Sequence, residues 1–370
     1  MATTPRHRLS SATSLASLLL LLLTPIQPST SFQLGHLLST CIDACQRGCA
    51  EIRTVQSTRC PDSGTLNQQV EFKELGDAKS ALTEADVAAQ AAICGALRAE
   101  WGESLIIVGE EDDNGILLKE KMAQMEPFAA LDRTLLDDDF PDGMADIDPV
   151  DITIYVDPLD ATREFVEGRL ENCQSLIGIA IGNEAVAGVI GIPFPKGDLS
   201  TDPTIVYGLS DVGTGVIGEP LSRGPYPLEK HIDGVKFPRP HFGSGDSTAP
   251  VMVGAQKALI KGFGGSNILY SGAGNKILAA SLGEVNASFQ PKFGGPWDVC
   301  APEAVLKAMG GRITDLFGEE IALYGKDAVE GANNRGYVAT TSAWARSHDA
   351  LIKNLNNAAE VQEYRKSIEE

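Results

Sequence analysis

Histidine is scarce: five occur in 370 residues, at positions 7, 36, 231, 241 and 348, too scattered to build an imidazole-centred catalytic or metal site. No G-x-S-x-G, H-E-x-x-H or G-x-x-x-x-G-K-[ST] segment is present. These absences exclude the serine-hydrolase elbow, the zinc-protease helix and the Walker phosphate loop. Cysteine is limited to positions 41, 45, 49, 60, 94, 173 and 300. Seven thiols cannot all pair within one chain, and no C-x-x-C occurs, so neither a disulfide framework nor a zinc ribbon is implied. Basic charge is also short, with 30 Lys and Arg against 50 Asp and Glu and a net charge of -20. That sign excludes a surface built to coat a nucleic acid. No run of eighteen apolar residues exists, so the mature chain is expected to have no stable membrane span. No repeat with a period of 20 to 50 residues is visible.

What is present is an ordinary globular composition, 43% hydrophobic and 22% charged, long enough for about two domains. Arg6, His7 and Arg8 precede the short apolar run from Leu15 to Leu23, which breaks at Thr24 and Pro25. This pattern reads as residues 1–32 of a targeting presequence. Ser31-Phe32 is faintly similar to the cleavage site of plastid presequences, so a secretory lumen and a plastid are both open as destinations. No acidic residue precedes Asp43, and removing the presequence therefore leaves a still more acidic protein. An α+β half is expected over residues 33–245 and an α/β half over 246–370.

Apolar spacing predicts helices over His36 to Val55 and Thr83 to Trp101, the second with Thr83 as N-cap. Cys41, Cys45 and Cys49 fall on one face of the first, where core packing outweighs a metal or redox cluster. Strands are expected at Ser104 to Val108, Ile152 to Val156, Gln174 to Ile181 and Glu184 to Ile192, the last two joined by a Gly182-Asn183 turn. The acidic segment 112–151, with Asp137 to Asp139, fails the calcium-loop pattern in both registers and reads as an insertion. Residues 193–247 are rich in Gly and Pro, with short strands at most. The last third alternates: strand Val251 to Val253, helix Asn275 to Leu282, strand Val285 to Phe289, helix Asp298 to Met309, strands Arg312 to Leu316 and Tyr337 to Thr340, and helix Ala343 to Leu355. Alternation of this kind marks an α/β layer.

The candidate chemistry lies in carboxylates at the ends of apolar strands. In Asp157-Pro158-Leu159-Asp160-Ala161-Thr162, Pro158 is expected to stop the strand and start a turn. Asp157, the carbonyl of Leu159 and Asp160 can then face one point, a donor set suited to magnesium. A following helix start offers N–H groups to a phosphate. Asp157 as a plain strand end and Asp160 as a plain N-cap explain the same residues. Glu110 in Gly109-Glu110-Glu111 is likewise delivered by a strand, and Asp298 in Trp297-Asp298-Val299-Cys300-Ala301-Pro302 stands at a helix start, where an N-cap role is equally open. Asp86 alone reads as a solvated helix charge. Gly272-Ala273-Gly274-Asn275-Lys276 is a glycine turn before a helix, a weak phosphate signal.

In order and spacing these segments resemble the magnesium-dependent, lithium-sensitive phosphatases of the inositol monophosphatase and fructose-1,6-bisphosphatase superfamily. They are most similar to its 3'(2'),5'-bisphosphate nucleotidases. The resemblance spans about residues 36 to 355. It includes Asp157 to Gly168, Ser271 to Ile277 and Trp297 to Glu303. It implies a layered αβαβα sandwich and a hydrolase acting on a small phosphorylated substrate, adenosine 3',5'-bisphosphate or an inositol phosphate. Glu110, Asp157, Leu159 (through its carbonyl), Asp160 and Asp298 would hold two or three magnesium ions. Thr162, with Glu110 or Asp86, would orient and deprotonate a water. Ala161, Thr162, Gly272 and Lys276 would meet the substrate. A non-catalytic nucleotide sensor on the same fold is the alternative of another class. Two departures stand out: Ala161 occupies a position where the family usually has Gly, and Val253-Gly254-Ala255-Gln256-Lys257 lacks the Ser/Arg/His cluster of nucleotidases.

Overall fold

The computed structural model describes residues 34–58, 71–72, 81–82, 84–111, 149–219 and 239–370. The expectations for the presequence, Cys60, Thr83, residues 112–148 and His231 lie outside the described residues. Helix α1 (Leu34–Ser57) and helix α2 (Glu84–Trp101) pack on one face of a six-stranded sheet. Its strands are β3 (Ile106–Gly109), β4 (Ile152–Asp160), β5 (Gln174–Ile181), β6 (Glu184–Ile192), β7 (Thr204–Leu209) and β8 (Gly213–Ile217), in sequential order. A two-residue ladder, β1 (Glu71–Phe72) with β2 (Ala81–Leu82), stands apart from it. β3 runs parallel to β4, and every later neighbour is antiparallel.

Cys41, Cys45 and Cys49 are fully buried among Ile, Leu and Val side chains, which places them in the core. Burial pushes the Cys41 thiol up. Asp86, expected in solvent, is buried.

The opposite face of this sheet is covered by α5 (Ala273–Ser281) and α6 (Pro296–Ala308). Gly178 and Gly188 admit α6: a Cβ at Gly188 would sit 2.1 Å from the Ala301 carbonyl oxygen, and one at Gly178 would meet Cys300 at 2.5 Å. Only glycine lets the helix lie directly on the strands at that spacing. Beyond α5 and α6 lies a five-stranded sheet. It is made of β9 (His241–Ser244), β10 (Ser266–Leu269), β11 (Ala287–Gln290), β12 (Arg312–Thr314) and β13 (Tyr337–Thr340), ordered β10-β9-β11-β13-β12. Helices α4 (Pro250–Phe263), α7 (His348–Asn356) and α8 (Ala359–Glu369) close its far face around Phe242, Phe289, Leu316 and Leu351. The result is the expected αβαβα sandwich. β9 already belongs to the second sheet, so the chain changes sheets before residue 241 rather than after 245.

Several elements differ from the sequence reading. Residues 251 to 253 are helical: Pro250 fills the first turn of α4, where its missing N–H costs nothing, and Val251 and Met252 are buried with Ala255 and Leu259 on the helix. Residues 193–247 hold β7, buried along all six residues, because its two faces pack α1 on one side and α6 on the other. β4 passes through Pro158 as an irregularity between Asp157 and Asp160, and pairing resumes at Asp160 opposite Gln174. The helix expected from Ala343 starts as a 3-10 turn, Ser342–Ser347, before α7. Helix α8 has only Val361 buried, too sparse an apolar pattern to be read from sequence. Among the described residues no helix is long and apolar enough to cross a membrane.

Candidate active site

β3 and β4 end side by side, and the Glu110 N–H donates to the Val156 carbonyl at 2.9 Å, holding Glu110 next to Asp157. The loop bearing Glu110 is clamped from α2 by Gln90. Its amide donates to the Glu111 carbonyl (2.8 Å) and accepts the Glu111 N–H (3.1 Å). Gly109 lies flat against that amide, where a Cβ would approach it to 2.6 Å. Sequence reasoning had passed over Gln90 as a functional residue. Its one signal is its place a helical turn after Asp86.

Asp157 is buried, and its Oδ1 accepts the Leu159 N–H at 3.0 Å. Burial first, then the charges of Glu110, Asp160 and Asp298, holds its carboxyl well above the ordinary carboxylate range. The Glu110 and Asp157 carboxyls are also within hydrogen-bonding reach of each other. Two anions accept that approach only with a proton or a cation between them. Asp160, also buried, looks across to the second half of the chain. It accepts the Ala273 N–H (3.1 Å) and the Asn275 N–H (3.3 Å) at the start of α5. Gly272 makes room for it, since a Cβ there would stand 2.5 Å from Asp160 Oδ2, and its φ of +79° suits glycine as well. Asp298 sits one turn into α6, whose N-cap is Gly295, and accepts the Gly294 N–H at 2.6 Å. Burial, Asp160 and Glu110 push it up to about 8.

Among the described residues no three such groups form a ready-made cage. Asp157, Asp160 and Asp298 each have a carboxylate oxygen engaged by a backbone N–H. Three buried aspartates whose proton affinity is raised, with the Glu110 carboxylate beside them, are nevertheless the donor chemistry a hard divalent cation fits.

Thr162 begins the short helix α3 (Thr162–Glu167). Its hydroxyl lies 3.0 Å from Asp86 Oδ1 on α2 and 2.9 Å from the Leu159 carbonyl. One proton serves both acceptors. The preceding Ala161 is left-handed, φ +69° and ψ +43°, a conformation that penalises any Cβ. Lys276, expected to face substrate, is buried, and its ammonium donates to the carbonyls of Tyr270 and Gly272. Burial lowers it to about 8, against the opposing pull of Asp160. In this position it ties the turn before α5 and neutralises Asp160. The structure thus gathers Glu110, Asp157, Asp160 and Asp298 into one electrostatic cluster, sets Asp86 and Thr162 beside it, and places Ala161 and Gly272 at its loops.

The layered sandwich brings strand-end carboxylates from one sheet to helix starts from the other, and its relatives make the class a phosphatase. The chain belongs to the inositol monophosphatase family, whose model matches residues 45–360. It is similar to the 3'(2'),5'-bisphosphate nucleotidase 1 of Homo sapiens, 32% identical over 283 residues that cover 75% of this chain and 84% of that protein. It is also similar to the Golgi-resident adenosine 3',5'-bisphosphate 3'-phosphatase of Rattus norvegicus, 26% identical over 87% of this chain and 81% of that one. Among solved structures, the inositol monophosphatase of Thermotoga maritima superposes with a TM-score of 0.55 at 18% identity, covering 88% of this chain and 97% of that one. That last likeness speaks to the fold.

Proposed function

We propose that the protein removes the 3'-phosphate of adenosine 3',5'-bisphosphate, giving AMP and phosphate, in a magnesium-dependent and lithium-sensitive reaction. The observation that carries the reading is the crowding of Glu110, Asp157, Asp160 and Asp298 beside the Thr162–Asp86 pair. The names of the human and rat relatives support the substrate.

Magnesium held by Glu110, Asp157, the Leu159 carbonyl, Asp160 and Asp298 would supply positive charge for the phosphate and lower the pKa of the attacking water. The chain's own residues do the rest. Thr162 donates to the Asp86 carboxylate, so its oxygen lone pairs are left to accept a proton from water, and Asp86 is the sink that draws the hydroxyl proton on. Water supplies one oxygen to phosphorus, the ester oxygen leaves with a proton, and no covalent enzyme intermediate is needed. This agrees with the absence of histidine and cysteine motifs. The N–H groups of Ala161 and Thr162 are proposed to hold phosphate oxygens.

The proposal extends to location. The presequence would deliver the chain to a secretory or plastid lumen, where it would clear the nucleotide by-product of sulfotransferases. Deleting residues 1–32 from a tagged chain should leave it in the cytosol, and unchanged placement contradicts this part.

The substrate is tested by phosphate release from adenosine 3',5'-bisphosphate and from inositol 1,4-bisphosphate in parallel, with magnesium, with EDTA and with lithium added. Faster release from the nucleotide, abolished by EDTA and inhibited by lithium, is expected. Preference for the inositol ester overturns the substrate, and no release from either favours the sensor alternative.

A further inference from the structure

A bisphosphate carries a second anionic group that the reaction centre does not use, and the described charges at its edge are specific. Arg163 follows Thr162 on α3 and is partly exposed. Its Nε donates to Glu167 Oε1 at 2.9 Å on the same helix. Its Nη1 donates at 3.3 Å to Asp246, which lies just beyond β9 in the other half of the molecule. Asp246 also acts electrostatically on Lys276, whose ammonium ties the turn before α5, and Arg163 is the residue next to Thr162 in the chain.

The two ends of this ion pair are anchored differently. The root of the Asp246 loop is fixed. Gln256 on α4 donates to Ser244 Oγ (2.9 Å) and to the Gly245 carbonyl (3.3 Å), and Ser244 donates to Asn267 Oδ1 (2.9 Å). The Asp246 carboxylate itself is 56% exposed. An ion pair so exposed is weak, so a phosphate dianion, with more charge and a geometry matched to the guanidinium fork, can displace it. Arg169, the neighbouring cation, already pairs with Glu164 and Glu167 on the same helix. Arg163 pairs with Glu167 on its own helix and, in the other half of the molecule, with the exposed carboxylate of Asp246.

We infer that Arg163 is the receptor for the second phosphate of the substrate and that Asp246 is its stand-in, displaced when a bisphosphate enters. This rests on the phosphatase reading above and adds a specificity-determining residue to it. The alternative role for the pair is a surface tie between the two halves.

The test uses the full chain and two nucleotides that share the scissile ester, adenosine 3',5'-bisphosphate and adenosine 3'-monophosphate. For Arg163→Gln the ratio of kcat/KM, bisphosphate over monophosphate, should fall by about tenfold or more, mostly through KM for the bisphosphate, the size of one charge-assisted contact. Arg163→Lys should recover part of that ratio, and Asp246→Asn should raise it, because the competing carboxylate is gone. Equal losses for both nucleotides, or a ratio within twofold of the parent, overturn the inference and leave a structural tie. Failure of the parent protein to release phosphate from either nucleotide is a different result, which rejects the phosphatase reading itself.

Discussion

Asp160, at the end of β4, accepts the backbone N–H groups of Ala273 and Asn275 at 3.1 and 3.3 Å, so a carboxylate from the first sheet caps the N-terminus of α5 in the other half of the molecule. The carboxylate loop and the glycine turn therefore form one unit, with Lys276 supplying the nearest positive charge. From sequence, Asp160→Asn reads as a change at a surface cleft that touches only the metal site. The structure makes it a buried cap as well. Its expected outcome is loss of turnover by about a hundredfold or more together with about 1 kcal/mol of stability, since the amide keeps one acceptor oxygen. Thermal unfolding and initial rates on the same preparation check both. Near-parent activity would remove Asp160 from the site.

Thr162→Val deletes the hydroxyl that links Asp86 to the reaction centre while keeping the volume. The expected fall in kcat is about a hundredfold to ten-thousandfold, the usual range for proton-transfer groups. Thr162→Ser should retain most of the rate and the parent pH profile. If Val and Ser behave alike, the hydroxyl is not used.

Ala161→Gly should raise stability. The left-handed φ of +69° costs a Cβ about 1–2 kcal/mol, partly offset by the greater freedom of glycine in the unfolded chain. A net gain of up to about 1 kcal/mol, or about 2 °C in Tm, is expected. Ala161→Val should lose stability, because a β-branched side chain tolerates this conformation least. A glycine variant that melts below the parent would show that the methyl group makes a contact outweighing the strain.

His348 is fully buried between two hydroxyls, with Nε2 2.9 Å from Thr314 Oγ1 and Nδ1 3.0 Å from Thr340 Oγ1. Burial, helped by the Arg312 charge, lowers it to about 4 from an ordinary value of 6.5. A lowered histidine pKa means the folded protein binds this proton later than the unfolded chain does. The resulting stability is complete above about pH 6.5 and is lost as pH falls toward 4, up to about 3 kcal/mol. His348→Gln should be less stable than the parent at pH 7 yet lose less on acidification to pH 4.5, read from urea midpoints at the two pH values. Parallel acid losses would mean that the ring titrates normally.

The parts of this molecule legible in sequence are those whose information is local. The Gly182-Asn183 hairpin, the α1 cysteine face and the strand-end position of Glu110 follow from period and punctuation over a few residues, whereas Asp157 lies within β4, which runs on to Asp160. The Val-Met-Val run after Pro250 failed because three apolar residues carry no period, and only the proline at the first helical position distinguishes helix from strand. β7 hid in a Gly- and Pro-rich stretch because its burial comes from two helix layers above and below it. Three features of the site are long-range contacts that period and punctuation do not show, although the resemblance offers Asp86 as one partner for Thr162. The Gln90 clamp spans 21 residues, the Thr162–Asp86 bond 76, and the Asp160 cap on α5 more than 110. The resemblance sets Lys276 toward the substrate, and its burial could not be read from the local sequence. Here the turn folds back over the ammonium.

The central claim is that Glu110, Asp157, Asp160 and Asp298 hold the cation the reaction needs. Calorimetric titration of the full chain with magnesium at pH 7, in two buffers of different ionisation enthalpy, tests it most directly. Because Asp157 lies well above the ordinary range and Asp298 near 8 without a cation, binding must drive protons off the cluster. The account predicts release of about one proton or more per chain, and loss of the binding heat in Asp157→Asn. Binding without proton release, or an unchanged titration in that variant, would contradict it.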